Sequence, residues 1–304
     1  MKKLTSRIAS KVLLLAGLAL AVSAQGATTN WSFSNAAGQA DGGTAASSYA
    51  GGALQISGFA ATNGNTALSG DNAAVLNSGF ASNAKWGSQG VNYWSGGGLA
   101  MASDSPTNAP NHAIDNAGGK TESVLLSFSN SQVLTSIGIG YKSGDADISL
   151  WRFVGTASIT TPAALTTVGA DKASMIAAGW SLVNNYANLA QDTDSPYNLV
   201  NGAACTHTTA GVCDAAAATA SSVGSSWWLI TAFNSSYGSG TNLDQGNDFF
   251  KIAAVATNDC SGTTGTGGTC GPKRGTVPEP GSLTLAGLAL GGLFFSRRRK
   301  TVTI

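Results

Sequence analysis

Charge is what this chain has least of: Asp, Glu, Lys and Arg make up 10% of its 304 residues. Long amphipathic helices draw on Glu, Lys and Arg as well as Leu, so their scarcity argues against a helical fold. Histidine is nearly absent, with only His112 and His207. No H-E-x-x-H occurs, which excludes a zincin site, and there is neither a G-x-S-x-G nucleophile elbow nor a P-loop. Gly265-Thr266-Gly267-Gly268 is glycine-rich but follows no strand pattern and reads as linker. None of the four cysteines stands in a C-x-x-C pair.

What remains is small and apolar. Glycine reaches 40 residues and the apolar fraction is 43%. That is enough for a core, and short apolar runs between Gly-rich turns favour an all-β fold. The net charge of +1 conceals a segregation. Lys2, Lys3, Arg7 and Lys11 lie at the start, and Arg297, Arg298, Arg299 and Lys300 at the end. All 15 acids lie between Asp41 and Glu279 against the other eight bases, so the body carries −7. Such a body repels phosphate backbones, and no nucleic-acid partner is expected.

The basic start is followed by an apolar run, 12–22, and then by the small residues Ser23, Ala24 and Gly26. This is the order of a secretory signal peptide, with cleavage expected after Ala24. As a helix the run is only ~16 Å long, short of a ~30 Å bilayer core. Export makes disulfides the expected state of Cys205, Cys213, Cys260 and Cys270. Spacing favours Cys205–Cys213 and Cys260–Cys270, although three pairings are open.

The other end combines Val277-Pro278-Glu279-Pro280 with an apolar stretch, 283–295, and then the four cations Arg297 to Lys300. Leu283, Leu285, Leu288, Leu290, Leu293, Phe294 and Phe295 supply its apolar surface. The cations resist translocation and act as a stop-transfer signal. The stretch is ~20 Å as a helix, a marginal span that holds a chain for a time. The proline-flanked glutamate is extended and stands just outside the lipid. This three-part order, over 277–300, resembles the PEP-CTERM sorting signal of Gram-negative bacteria. The resemblance implies an exosortase as partner, an integral-membrane cysteine protease that processes the chain near Pro278-Glu279-Pro280. It also implies transient insertion in the inner membrane, then a place at the cell surface or outside it.

Between the ends, 258–276 is rich in Gly, Thr and Ser and reads as a tether. Period-two runs at 122–129, 132–141, 147–154, 179–186, 226–234 and 248–256 predict strands, with weaker ones at 53–59, 72–77 and 99–102. One short helix is expected over 165–178. The expected organisation is a signal peptide (1–24), a β-sandwich or jelly-roll-like ectodomain (27–257), the tether (258–276) and the sorting signal with its transmembrane-like helix (277–300). The blocks at 115–128, 143–153, 177–189, 225–234 and 246–256 also resemble a family of exosortase-dependent surface proteins. That likeness implies association with exopolysaccharide or biofilm and no enzymatic activity.

Candidate chemistry rests on carboxylates and aromatics. Asp145 with Asp147, Asp192 with Asp194, and Asp244 with Asp248 form close pairs, which turn-capping explains as well as catalysis does. No cofactor is fixed by the residues. Asp115, Asn116 and Glu122, in one loop-to-strand segment, suggest a structural calcium ion, since Ca²⁺ takes six to eight oxygens. Trp31, Trp86, Trp94, Trp151, Trp180, Trp227 and Trp228 serve either a core or sugar stacking. A non-enzymatic surface or matrix protein is the leading reading. A surface carbohydrate-binding module, recognised by exposed coplanar aromatics, is the alternative. A secreted glycan-active hydrolase, recognised by two facing carboxylates in a cleft, comes third.

Overall fold

Leu, Val, Ile and Phe alternate through the middle of the chain so that the central strands have two apolar faces, and the structure buries both, while polar strands such as Thr28–Ser32 and Gly87–Gln89 stay largely exposed. A computed structural model describes residues 28–33, 41–62, 79–102, 112–155, 162–191, 198–200, 224–244 and 248–259. These residues form fourteen strands joined in one hydrogen-bonded sheet. Every pairing between the strands is antiparallel. The all-β expectation holds at that level.

The organising element is β9 (Lys120–Gly144), a strand of 25 residues. The sequence reading divides it in two, at 122–129 and 132–141, but no turn forms between them. Its first half lies between β4 (Leu54–Thr62) and β13 (Ser225–Ala232). Its second half lies along β14 (Asp248–Asp259) and also takes the short β12 (Asn198–Leu199). Beyond β13 come β10 (Ile148–Phe153) and β11 (Trp180–Tyr186). Beyond β14 come β1 (Thr28–Ser32), β8 (Ile114–Asp115) and β7 (Gly98–Met101). β7 continues to β6 (Val91–Trp94) and β2 (Gly43–Thr44). β3 (Ser48–Tyr49) and β5 (Gly87–Gln89) pair with β4.

Two cores follow from the alternation. One gathers Ile56, Val124, Leu126, Leu150, Trp228 and Ile230 from the first half of the sheet with Ile137, Ile139, Phe250, Ile252 and Val255 from the second. The other lies on the opposite face of the first half and holds Phe59, Leu125, Trp151, Phe153, Trp227 and Leu229. The neighbours Trp227 and Trp228 therefore point to opposite faces, as a strand requires, and both are buried because both faces are covered. A bulge between Ser225 and Trp227 shifts the register there, and the Trp228 indole N–H donates to the Gln132 carbonyl at 3.0 Å.

The cover of the second core includes the segment read as one helix over 165–178. It is instead a 3-10 turn (Pro162–Thr167) and a short α1 (Lys172–Ala177). The break has a local cause. The Ala170 N–H is drawn to the Ala84 carbonyl at 2.9 Å, and Asp171 then caps α1 by accepting from the Ser174 N–H at 3.0 Å. Among the described residues no helix is long and apolar enough to cross a membrane. β14 runs to Asp259, two residues into the segment read as tether. The signal segment, the strand expected at 72–77, the sorting signal with its expected apolar helix, and all four cysteines lie outside the described residues.

Candidate functional site

The link from β9 to β10 is the tripeptide Asp145-Ala146-Asp147, and the first residue of β14 is Asp248. The antiparallel register of β9 with β14 sets Asp248 opposite Gly144, which brings the two segments together at one end of the sheet. Carboxylate oxygens of Asp145, Asp147 and Asp248 all fall within 4.8 Å of one another. Asp147 and Asp248 have no solvent exposure. Asp145 is half-buried, with its Oδ1 shielded and without a hydrogen-bond partner.

Backbone donors hold the group. Asp248 Oδ1 accepts from the Asp147 N–H at 2.6 Å. Asp147 accepts from the N–H of Asn188 at 2.7 Å and of Asp244 at 2.9 Å, one to each oxygen. Asn116 donates its amide to Asp248 Oδ2 and to the Phe233 carbonyl, and its own oxygen accepts from the Asp248 N–H at 3.3 Å. Three chain segments far apart in sequence are thus tied to two carboxylates, so turn-capping is part of what these acids do.

Electrostatics oppose the arrangement. Burial raises the Asp147 carboxyl to about 7, the Asn188 N–H works against this, and the Asp145 charge adds to the rise. Burial pushes Asp248 well above the usual carboxylate range, and the charges of Asp147 and Asp145 push further. Three carboxylates this close in a dry setting cannot all ionise without a compensating cation or shared protons. One oxygen from each of the three carboxylates meets there, and their chemistry suits a hard divalent cation such as calcium.

The residues read from sequence as calcium ligands sit beside this group. Glu122 Oε2 accepts from the Asp115 N–H at 3.3 Å, and Asp115 Oδ1 accepts from the Ala117 N–H at 3.1 Å. Asn116 is the contact between the two clusters. The pairs Asp145/Asp147 and Asp244/Asp248 were legible as D-x-D and D-x-x-x-D, but a separation of 101 residues between Asp147 and Asp248 hides their meeting. Asp192 and Asp194 lie outside the described residues. Glycosidases hold their two carboxyls ~5–9 Å apart across an open space, a different arrangement from this packed trio.

The aromatic candidates divide clearly. Trp86, Trp151, Trp180, Trp227 and Trp228 are buried, while Trp31 and Trp94 are half-buried. Trp31 packs against Phe128 and donates to Thr257 Oγ1 at 3.0 Å. Trp94 stacks with His112, ring centroids 4.1 Å apart, beside Lys251 of β14. Lys251 escaped the sequence reading, although a lone charge inside Asp248-Phe249-Phe250-Lys251-Ile252 was its signal. A separate cleft of about 260 Å³ lies between the 44–47 segment and β4 to β6, lined by Thr44, Ser47, Ser57, Ser88, Gln89 and apolar neighbours, with no acid, histidine or cysteine.

The tail is where a comparison with known proteins bears. The family model of the PEP-CTERM protein-sorting motif matches residues 276–300. The motif marks the chain as exported and targeted to an exosortase for sorting to the cell surface. No curated protein and no solved structure matches the chain.

Proposed function

We propose that this exported, exosortase-targeted chain works as a non-enzymatic protein of the cell surface or extracellular matrix, associated with exopolysaccharide. The observation that carries the reading is the sorting motif at 276–300, with its proline-flanked glutamate, marginal apolar stretch and cations in that order. The apolar stretch holds the chain in the inner membrane while the exosortase acts near Pro278-Glu279-Pro280, and the body is then released or attached outside. The described body supports a scaffold role. Its central strands are buried on both faces, and we take the two halves of the sheet, folded over a shared core, as a sandwich-like arrangement. The test is intact-mass and fractionation analysis of the protein from its native host, followed by co-sedimentation with the host's own matrix polysaccharide. Every molecule retaining Phe295 and the arginines, embedded in the inner membrane, would overturn the sorting half of the reading. A body that never sediments with matrix would overturn the other half.

We further propose that a structural calcium ion belongs with Asp145, Asp147 and Asp248 rather than with Asp115, Asn116 and Glu122 alone. What favours it is the convergence of three carboxylates whose mutual repulsion a divalent cation removes. Calcium here ties the start of β10 to the start of β14 and performs no chemistry. Unchanged thermal stability after chelation at pH 8 would overturn it.

A further inference from the structure

The cleft beside β4 is a gap in a hydrogen-bonded edge. On the side of β4 away from β9, β3 pairs with Leu54 and Gln55, and β5 pairs with Gly58, Phe59 and Ala60. Ile56 and Ser57 lie between these pairings and have no strand opposite them on that edge. The segment 44–47 crosses the gap, and main-chain bonds fix it at both ends. The Ala45 N–H donates to the Val91 carbonyl at 2.8 Å, and the Ser47 carbonyl accepts from the Ile56 N–H at 3.0 Å. Between these walls lies the cleft of about 260 Å³. Of its lining, Ser47 and Ser88 are exposed and Ser57 and Gln89 are half-buried, so it is open to solvent without any strand moving.

The lining carries no charged side chain. Ser47, Ser57, Ser88 and Gln89 have no side-chain hydrogen-bond partner among the described residues, while Ile56 and Val91 supply a buried apolar floor. Each property excludes a class of ligand. A charged ligand would give up water at a site with no counter-charge to offset the loss. A purely apolar ligand would strip water from four polar side chains and return no bonds to them. A neutral polyhydroxylated ring meets both demands. Its hydroxyls donate and accept, as serine hydroxyls and a glutamine amide do, and its C–H faces suit the floor. The volume falls just below the ~300 Å³ at which sites for drug-sized molecules begin, which suits roughly one or two sugar rings. The long-range field agrees, because a body with a net charge of −7 repels a polyanion but not an uncharged polymer.

We infer that the cleft between 44–47 and β4 to β6 binds a neutral saccharide unit, with Ser47, Ser57, Ser88 and Gln89 hydrogen-bonding its hydroxyls. The inference rests on the matrix-associated reading above and names the class of polysaccharide, uncharged instead of acidic. A shallow site for one or two rings is weak by itself, and a polymer compensates by offering the same unit many times along its length.

The test is affinity electrophoresis of the full chain, in a sugar-free nonionic detergent, through native gels that contain a soluble glucan, a galactomannan or a polygalacturonate. Retardation is expected in at least one of the two neutral gels and not in the acidic one. Ser57→Val, which narrows the cleft and deletes a hydroxyl, is expected to abolish it. Ser88→Ala combined with Gln89→Ala is expected to weaken binding about tenfold, the loss of two neutral hydrogen bonds. Both of those side chains are without partners in the fold, so this double variant decides the matter if Ser57→Val fails to fold. No retardation in either neutral gel, equal retardation by polygalacturonate, or retardation that survives the substitutions overturns the site. A chain that still sediments with native matrix but is not retarded by neutral glycan sinks this inference alone. A chain that binds neither glycan nor matrix sinks both readings.

Discussion

The carboxylate of Asp248 accepts the backbone N–H of Asp147 at 2.6 Å, while the Asp147 side chain lies close enough for the two charges to repel. The backbone bond is favourable in either protonation state of Asp147. The carboxylate pair is favourable only when protons or a cation intervene.

A pH dependence follows with a definite sign. A carboxyl raised in the folded state supports folding fully below its unfolded pKa of ~3.9 and loses that support as pH climbs through the folded value. For Asp147 the window is therefore from about 4 to about 7. In chelator, melting temperature should fall as pH rises across that window, by an amount on the order of a few kcal/mol in stability. Added calcium should restore most of the loss at pH 8 and little at pH 5. Asp147→Asn should flatten the profile and abolish the calcium effect. Thermal melts at four pH values, with and without calcium, check all three.

Trp228 is fully buried and its indole N–H is shared between the carbonyls of Gln132 and Ser225, at 3.0 and 3.1 Å. Trp228→Ala should cost about 3–5 kcal/mol. Trp228→Phe fills most of the volume but leaves the two carbonyls short of a donor, so about 1–3 kcal/mol is expected. Urea denaturation of the two variants separates packing from hydrogen bonding.

Two glycines with positive φ should respond differently to alanine. Gly98 (φ +94°) lies against the backbone of β14, and a Cβ there would collide with the Ile252 carbonyl. Gly118 (φ +61°) has open space around it. Gly118→Ala should cost about 1 kcal/mol, the backbone term alone. Gly98→Ala should cost clearly more and displace the β6–β7 hairpin, visible as lost amide protection over 98–101 in hydrogen exchange.

Replacing Pro278, Glu279 and Pro280 with alanine should leave the full-length chain in the inner membrane, because the exosortase loses its site. Replacing Arg297, Arg298, Arg299 and Lys300 with serine should weaken retention and let unprocessed chain escape, because the barrier to crossing is gone. Immunoblots of membrane and medium fractions distinguish the two outcomes.

Much of the body was legible because alternation is local. Ile148 and Leu150 opposite Trp151 and Phe153 could be read directly, and the two pairs enter different cores. The tail was legible for a similar reason, since its three parts are contiguous. Other features were hidden by distance or brevity. The union of 122–129 with 132–141 depends on partners supplied by β13 and β14, not on Asn130-Ser131 themselves. Strands of two or three residues, such as β2 and β5, carry too few side chains to show a period. The acid trio and the Lys251 cage each require residues about 100 or more apart to meet, with one exception: Lys251 could have been noticed as a charge within an apolar strand.

The length of β9 sets a schedule for the whole body. Its neighbours are drawn from 54–62 on one side of the sequence and from 225–232 and 248–259 on the other, while β1 at Thr28 waits for Asn258. Pairings of such range form slowly, because each closes a long loop before it is rewarded. A chain threaded outward from its N-terminus therefore cannot finish its central strand until nearly all of the body has emerged. Premature folding, which would jam a translocation channel, is discouraged by the topology itself.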